Sequence, residues 1–368
     1  MKIDKHGANL FEIAKELNID KSEIKDFSSN VNPLGISPLA KKYLVDHPEI
    51  ISTYPDPHYR ELKASIASYA KTGVDKIILG LGATELIKDY IEIISPKNAL
   101  ILNPAYSEYE NNLKSVGANI FKYNLKKEEN FKFDPEKILE IVKENDIDLF
   151  TFPNPNNPTG TALSSEDLRK VLDTGINVLV DECYVEFENN SVIPLTDEYK
   201  NLFVVRGTSK FFASPGLRLG YGILSDDRVL KQMEDRSYLW SINTVASELG
   251  NIMLRDEEYI EKTRAFIKKE KECFYNEMAE ISILKAYPSD ANFILVEIKD
   301  GFTAADLRSY LTESFLIIRD CESFGLGKNF FRFCILDEES NRNLIKKIKE
   351  YIKKDRALMC THETGHNI

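Results

Sequence analysis

Asp148-Leu149-Phe150-Thr151-Phe152-Pro153-Asn154-Pro155-Asn156-Asn157-Pro158-Thr159-Gly160 is the stretch on which the fold turns. It opens as an apolar, β-rich run and then holds three prolines and three asparagines between residues 153 and 160. Proline fixes φ and removes an N–H donor, so neither strand nor helix continues through that segment. A strand running into a rigid loop at its C-terminal end is the usual place for ligand groups in an open α/β sheet. Turn chemistry alone also accounts for the loop. A functional asparagine there would donate its side-chain amide to an oxygen, and Asn157 is the candidate position.

Outward from this stretch, short apolar runs recur at residues 76–79, 99–102, 177–180 and 202–205. They read as buried strands of a largely parallel sheet. Helical patterns lie between them, as at 84–94 and 165–172, the latter opened by a Ser164-Ser165 cap. After about residue 255 come a long charged helix, a strand at 292–296 and an amphipathic helix carrying Leu344, Ile345, Ile348, Tyr351 and Ile352 on one face. The expected fold class is α/β. Residues 51–255 form a large domain with a mostly parallel sheet in an αβα sandwich, and residues 256–368 a smaller α+β domain. Residues 1–50 form an N-terminal arm and part of the small domain.

The 368 residues are 43% hydrophobic and 29% charged, the composition of an ordinary globular protein. A net charge of −11 opposes a nucleic-acid footprint, and no apolar run approaches the roughly 20 residues of a membrane span. Residues 1–6 lack the apolar stretch of a signal peptide, so the expected location is cytoplasmic. Five scattered cysteines suit reduced thiols. Cys360, His362 and His366 near the C-terminus lack a fourth ligand nearby, and no metal is expected.

Three further segments carry chemistry. In Gly80-Leu81-Gly82-Ala83-Thr84-Glu85 a strand passes through small residues into a helix, where backbone N–H groups can approach a phosphate; a mere tight turn is the alternative. A hydrophobic strand ends in Asp181-Glu182-Cys183-Tyr184. A carboxylate so placed requires a cation or several donors, or serves as a cap. Lys210, in Arg206-Gly207-Thr208-Ser209-Lys210-Phe211-Phe212, follows a strand amid small and aromatic residues that favour a nucleophilic amine. Arg218, eight positions on, offers a fork of donors suited to phosphate.

The ordered set of Asn157-Pro158-Thr159-Gly160, Asp181-x-x-Tyr184 and Ser209-Lys210 with Arg218 resembles the fold type I enzymes of the aspartate aminotransferase superfamily, which use pyridoxal 5′-phosphate (PLP). The resemblance covers essentially the whole chain. It implies that Lys210 holds the cofactor covalently and shuttles protons, and that Asp181 keeps the ring nitrogen protonated. It further implies that Asn157 and Tyr184 hold the phenolic oxygen, that Gly82, Ala83, Thr84, Ser209 and Arg218 bind the phosphate, and that Tyr106 stacks on the ring. Tyr54 matches a tyrosine lent to the partner's cofactor, so a homodimer with shared active sites is implied. Arg332, in Phe331-Arg332-Phe333, matches an arginine that clamps the substrate carboxylate.

Within the superfamily, His6-Gly7, the 26–35 segment, Trp240-Ser241-Ile242-Asn243 and Arg319-Asp320-Cys321 resemble the branch of histidinol-phosphate aminotransferases and threonine-phosphate decarboxylases. Ala8 departs from the decarboxylases' usual His-Gly-Gly. The substrate is then a small phosphorylated amino acid or amine. His6, Asn32 and Arg319 are candidate anchors for its phosphate or carboxylate, with Asn157 and Arg332 beside them. Decarboxylation is the favoured outcome and amino transfer the alternative. A non-catalytic PLP-binding regulator is disfavoured, because such proteins carry a basic DNA-binding domain that this sequence lacks.

Overall fold

The computed structural model describes residues 9–363, with side chains to residue 355. His6 and His366 lie outside the described residues, as do the side chains of Cys360 and His362. The chain forms two compact units. The larger comprises Leu34–Asn157 and Thr161–Ala265; the smaller comprises the chain up to Pro33, Pro158–Gly160 and Phe266 onward.

The breaks thus fall after Pro33 and Ala265, not after residues 50 and 255. Helix Pro38–Asp46 buries Ala40, and its cap Ser37 donates to Asp256 at 2.5 Å, which ties residues past 33 into the larger unit. The start of helix Glu257–Ala279 belongs there too: Tyr259 Oη donates to the Gly35 and Phe211 carbonyls, and Arg264 Nε to that of Glu186 at 2.9 Å.

The larger unit is built on strands β1 (Ile77–Gly80), β2 (Asn98–Asn103), β3 (Asn119–Asn124), β4 (Leu149–Pro153), β5 (Asn177–Asp181), β6 (Leu202–Gly207) and β7 (Gly220–Leu224). They form one seven-stranded sheet in the order β1-β7-β6-β5-β4-β2-β3. All pairs from β6 to β3 are parallel, and β7 runs antiparallel to β1 and β6. Every residue of β4, β6 and β7 is buried, as expected of strands covered on both faces. Helix Ala83–Ile94 lays Leu86, Ile87, Tyr90 and Ile91 on one core with Ile78, Leu179, Phe203 and Val205.

β3 and β7 were not among the expected strands. β3 is an edge strand whose Asn and Lys residues face water, so it lacks an apolar run. β7 contains two glycines, which weaken a strand signal but permit close approach. A Cβ on Gly222 would sit 2.3 Å from the Phe203 ring, and one on Gly220 would sit 2.4 Å from the Gly82 carbonyl carbon.

The smaller unit holds β8 (Leu284–Ala286), β9 (Phe293–Ile298), β10 (Arg319–Asp320) and β11 (Phe330–Cys334) in an antiparallel sheet ordered β10-β11-β9-β8. Lys25–Asp26 pairs in parallel with Leu316–Ile317, so part of the N-terminal arm is built into this unit.

Candidate functional site

In the larger unit the candidate side chains collect at the C-terminal ends of the parallel strands. β1 leaves Gly80 through Leu81 and Gly82 into helix Ala83–Ile94. Gly82 caps that helix at φ 88° with no side-chain cap, so the first-turn N–H groups and the positive end of the helix dipole are presented at this turn. Arg218, itself at φ 56°, reaches across with Nη2 3.2 Å from the Leu81 carbonyl oxygen. A Cβ on Gly82 would come within 2.8 Å of that Nη2, so glycine is what lets guanidinium and turn meet. Thr84 hydrogen-bonds Tyr106, whose hydroxyl is pushed up to about 12, chiefly by burial.

At the end of β4, Asn154 and Asn156 are engaged in fixing the loop. The Asn154 side chain exchanges bonds with Leu163, accepting from its N–H at 2.7 Å and donating to its carbonyl at 3.2 Å. Asn156 Nδ2 donates to the Pro104 carbonyl at 2.9 Å. Asn157 follows, half-buried.

Asp181 closes β5 and is 7% exposed. Its Oδ2 accepts from Tyr109 Oη at 2.7 Å and its Oδ1 from the Cys183 N–H at 2.9 Å. Burial raises the carboxyl above its ordinary range, opposed by these donors, by the Cys183 thiol and by the charge of Lys210. Tyr184 sits buried on the turn that follows.

Lys210 and Ser209 occupy a tight turn after β6. Ser214 Oγ donates to the Thr208 carbonyl at 2.9 Å, and Ala213 N donates to the Lys210 carbonyl at 3.3 Å. Phe211 and Phe212, both fully buried and packed edge to face, anchor the turn from below. Tyr54 is 76% exposed and stacks on Trp240 with ring centroids 4.4 Å apart.

The smaller unit brings two other expected residues together. Arg319 on β10 lies directly opposite Arg332 on β11, and both are buried. Arg332 Nη2 donates to the Ser28 carbonyl at 2.5 Å and its guanidinium lies over Phe293. Arg319 Nη2 donates to Ser323 Oγ at 2.9 Å and its guanidinium lies over Phe324. Burial, with Arg332 alongside, weakens Arg319's hold on its proton. Asn32 is buried in this unit.

Two groups around Asp181 escaped the sequence reading. Tyr109 looks like a core tyrosine of an amphipathic helix, and its one cue is its place three residues after Tyr106. Cys183 is one of the unassigned positions in Asp181-x-x-Tyr184, and only its backbone geometry reveals a role.

The larger unit's set fits PLP. An amine, a buried carboxylate and a glycine turn crossed by an arginine match the cofactor's aldehyde, ring nitrogen and phosphate in kind.

The family model described as aminotransferase class I and II matches residues 22–348. The adenosylcobalamin biosynthesis bifunctional protein CobDQ of Leptospira interrogans is 32% identical over 351 residues, 94% of this chain; the chain spans 41% of that relative's length. Threonine-phosphate decarboxylase of Salmonella typhimurium is 30% identical over 354 residues, covering 94% of this chain and 96% of that protein. Among solved structures, the histidinol-phosphate aminotransferase of Clostridium acetobutylicum gives a TM-score of 0.83 at 32% identity, covering 89% of this chain and 99% of that one.

Proposed function

Because the chain belongs to the aminotransferase class I and II family, whose cofactor is PLP, we propose that it decarboxylates L-threonine O-3-phosphate to (R)-1-amino-2-propanol O-2-phosphate. The observation that carries this reading is the buried Arg319–Arg332 pair. Like charges directly opposite each other on adjacent strands repel, and burial makes both costlier. Such a pair is suited to a ligand with two anionic groups, and threonine phosphate has a carboxylate and a phosphate on one small skeleton. The likeness to the Salmonella decarboxylase supports the same reading.

When bound, PLP serves as a sink for the electron pair left at Cα. Lys210 supplies the amine that holds the cofactor and the proton that replaces the departing carboxylate at Cα. Asp181 would accept from the ring nitrogen, Asn157 Nδ2 and Tyr184 Oη would donate to the phenolic oxygen, and Tyr106 would cover the ring face. Gly82, Ala83, Thr84, Ser209 and Arg218 bind the cofactor phosphate, with Tyr54 completing the same site in a partner subunit. Arg332 clamps the substrate carboxylate, and Arg319, Asn32 and His6 take the distal phosphate. How the substrate's two anionic groups are held would decide which bond at Cα breaks, and so whether carbon dioxide or a proton leaves.

Amino transfer is the second reading, favoured by the equal likeness to the Clostridium histidinol-phosphate aminotransferase. The test is to incubate the holoenzyme with L-threonine O-phosphate and no keto acid. Carbon dioxide and aminopropanol phosphate are expected. No carbon dioxide, together with 2-oxoglutarate-dependent turnover of histidinol phosphate, assigns the enzyme to the aminotransferases.

A further inference from the structure

Tyr109 sits on the third residue of helix Ser107–Ser115, fully buried, with Leu113 one turn on also in the core. Its ring meets the Tyr106 ring edge to face, centroids 5.8 Å apart, and its hydroxyl donates to Asp181 Oδ2 at 2.7 Å. One side chain therefore touches the residue expected over the cofactor ring and the carboxylate expected against the ring nitrogen.

We propose that Tyr109 is a positioning residue that holds Asp181 ionised and oriented before the cofactor arrives and braces Tyr106 at the same time. The proposal rests on the reading that Asp181 faces the ring nitrogen. A buried carboxylate loses its water and tends to take up a proton; a short hydrogen bond from a neutral hydroxyl favours the charged form instead. The Cys183 N–H holds the other oxygen at 2.9 Å, so the carboxylate plane is fixed from both sides. Each carboxylate oxygen has two acceptor positions, so accepting from Tyr109 leaves Oδ2 able to accept from the cofactor as well. Burial and the adjacent Asp181 charge push the Tyr109 hydroxyl well above its ordinary range, which keeps it a donor at every working pH.

Tyr109→Phe removes the donor and keeps the ring against Tyr106, so packing is conserved. Titrating apoenzyme with PLP, the dissociation constant is expected to rise on the order of tenfold, the loss of one hydrogen bond to a charged acceptor. The midpoint pH of the bound cofactor's colour change is expected to move upward. A less anionic Asp181 gives less support to a protonated ring nitrogen, which leaves the Lys210 nitrogen more basic. Asp181→Ala is run beside it. If Asp181→Ala binds and titrates like the parent, the underlying reading of Asp181 fails. If Asp181→Ala is impaired while Tyr109→Phe keeps both the parent affinity and the parent midpoint, the role given to Tyr109 is overturned.

Discussion

Arg206 and Glu182 form an ion pair withdrawn from solvent on the face of the sheet opposite Asp181. Arg206 Nη2 is 2.7 Å from Glu182 Oε2, with side chains 6% and 0% exposed. Asp181 is in register with Val205, and alternation along the strands turns Glu182 and Arg206 to the other side. Arg206 Nη2 also donates to Ser191 Oγ at 2.6 Å, and Glu182 Oε1 accepts from Val192 N at 2.6 Å. The pair locks together the ends of β5 and β6, the first closed by Asp181 and the second leading to Lys210. Arg206→Met should destabilise the apoenzyme by about 3–5 kcal/mol, because it strands a buried carboxylate. Adding Glu182→Leu should recover part of that loss in urea unfolding. A double variant weaker than the single one would show that Glu182 contributes through its bonds to Ser191 and Val192 alone.

Glu186 lies in the same buried cluster, facing Arg206, Glu182, Arg264, Tyr69 and Tyr221. Burial lifts its carboxyl from 4.5 to about 7. In the unfolded chain the acid ionises near 4.5; in the folded protein it stays neutral to about pH 7. Its contribution is therefore fully present below about pH 4.5 and is lost as pH rises through about 7, a swing on the order of 3 kcal/mol. Glu186→Gln should flatten that part of the stability curve. Parallel curves for the two proteins between pH 4.5 and 7.5 would contradict this, on a window set by the shift itself.

Purified protein should be yellow and bleach on borohydride treatment, with the reduced pyridoxyl group on Lys210. Lys210 is set in a turn fixed by Ser214, and its charge offsets part of the upward shift that burial imposes on the Asp181 carboxyl. Lys210→Ala should still bind PLP but trap none of it covalently. Peptide mapping that finds the label on a different lysine would displace this assignment.

For the substrate, Arg332→Ala should raise KM and lower kcat together, on the order of a hundredfold in kcat/KM, since a carboxylate clamp both binds and orients. Arg319→Ala should lose far more on threonine phosphate than on threonine. Equal losses on the two substrates would mean that Arg319 does not read the phosphate.

The sheet was legible where buried strands are unbroken apolar runs such as Val178-Leu179-Val180, which admit few other readings; β7, equally buried, was not, because two glycines interrupt its run. β3 was not, because an edge strand half in water carries Lys122 and Asn124 within it. Asp181 and Lys210 stood out as charged groups at the ends of apolar strands. The partners that fix them did not: Tyr109 is 72 residues from Asp181 in sequence, and Arg206 is 24 from Glu182. Such pairings depend on which strands lie side by side, which periodicity does not encode. The same holds for Arg319 and Arg332, whose juxtaposition comes from the β10–β11 register.

The stack of Trp240 on Tyr54 gives the protein a reporter of its own. The sequence contains a single tryptophan, so all indole emission originates 4.4 Å from the Tyr54 ring, and Trp240 is 39% exposed. Association of two subunits over this surface would dry the indole and move its emission to shorter wavelength. Dilution would reverse the change, and Tyr54→Ala would alter it without touching the turn that holds Lys210. The proposed assembly would thus be readable by steady-state fluorescence on unlabelled protein, independently of colour or turnover.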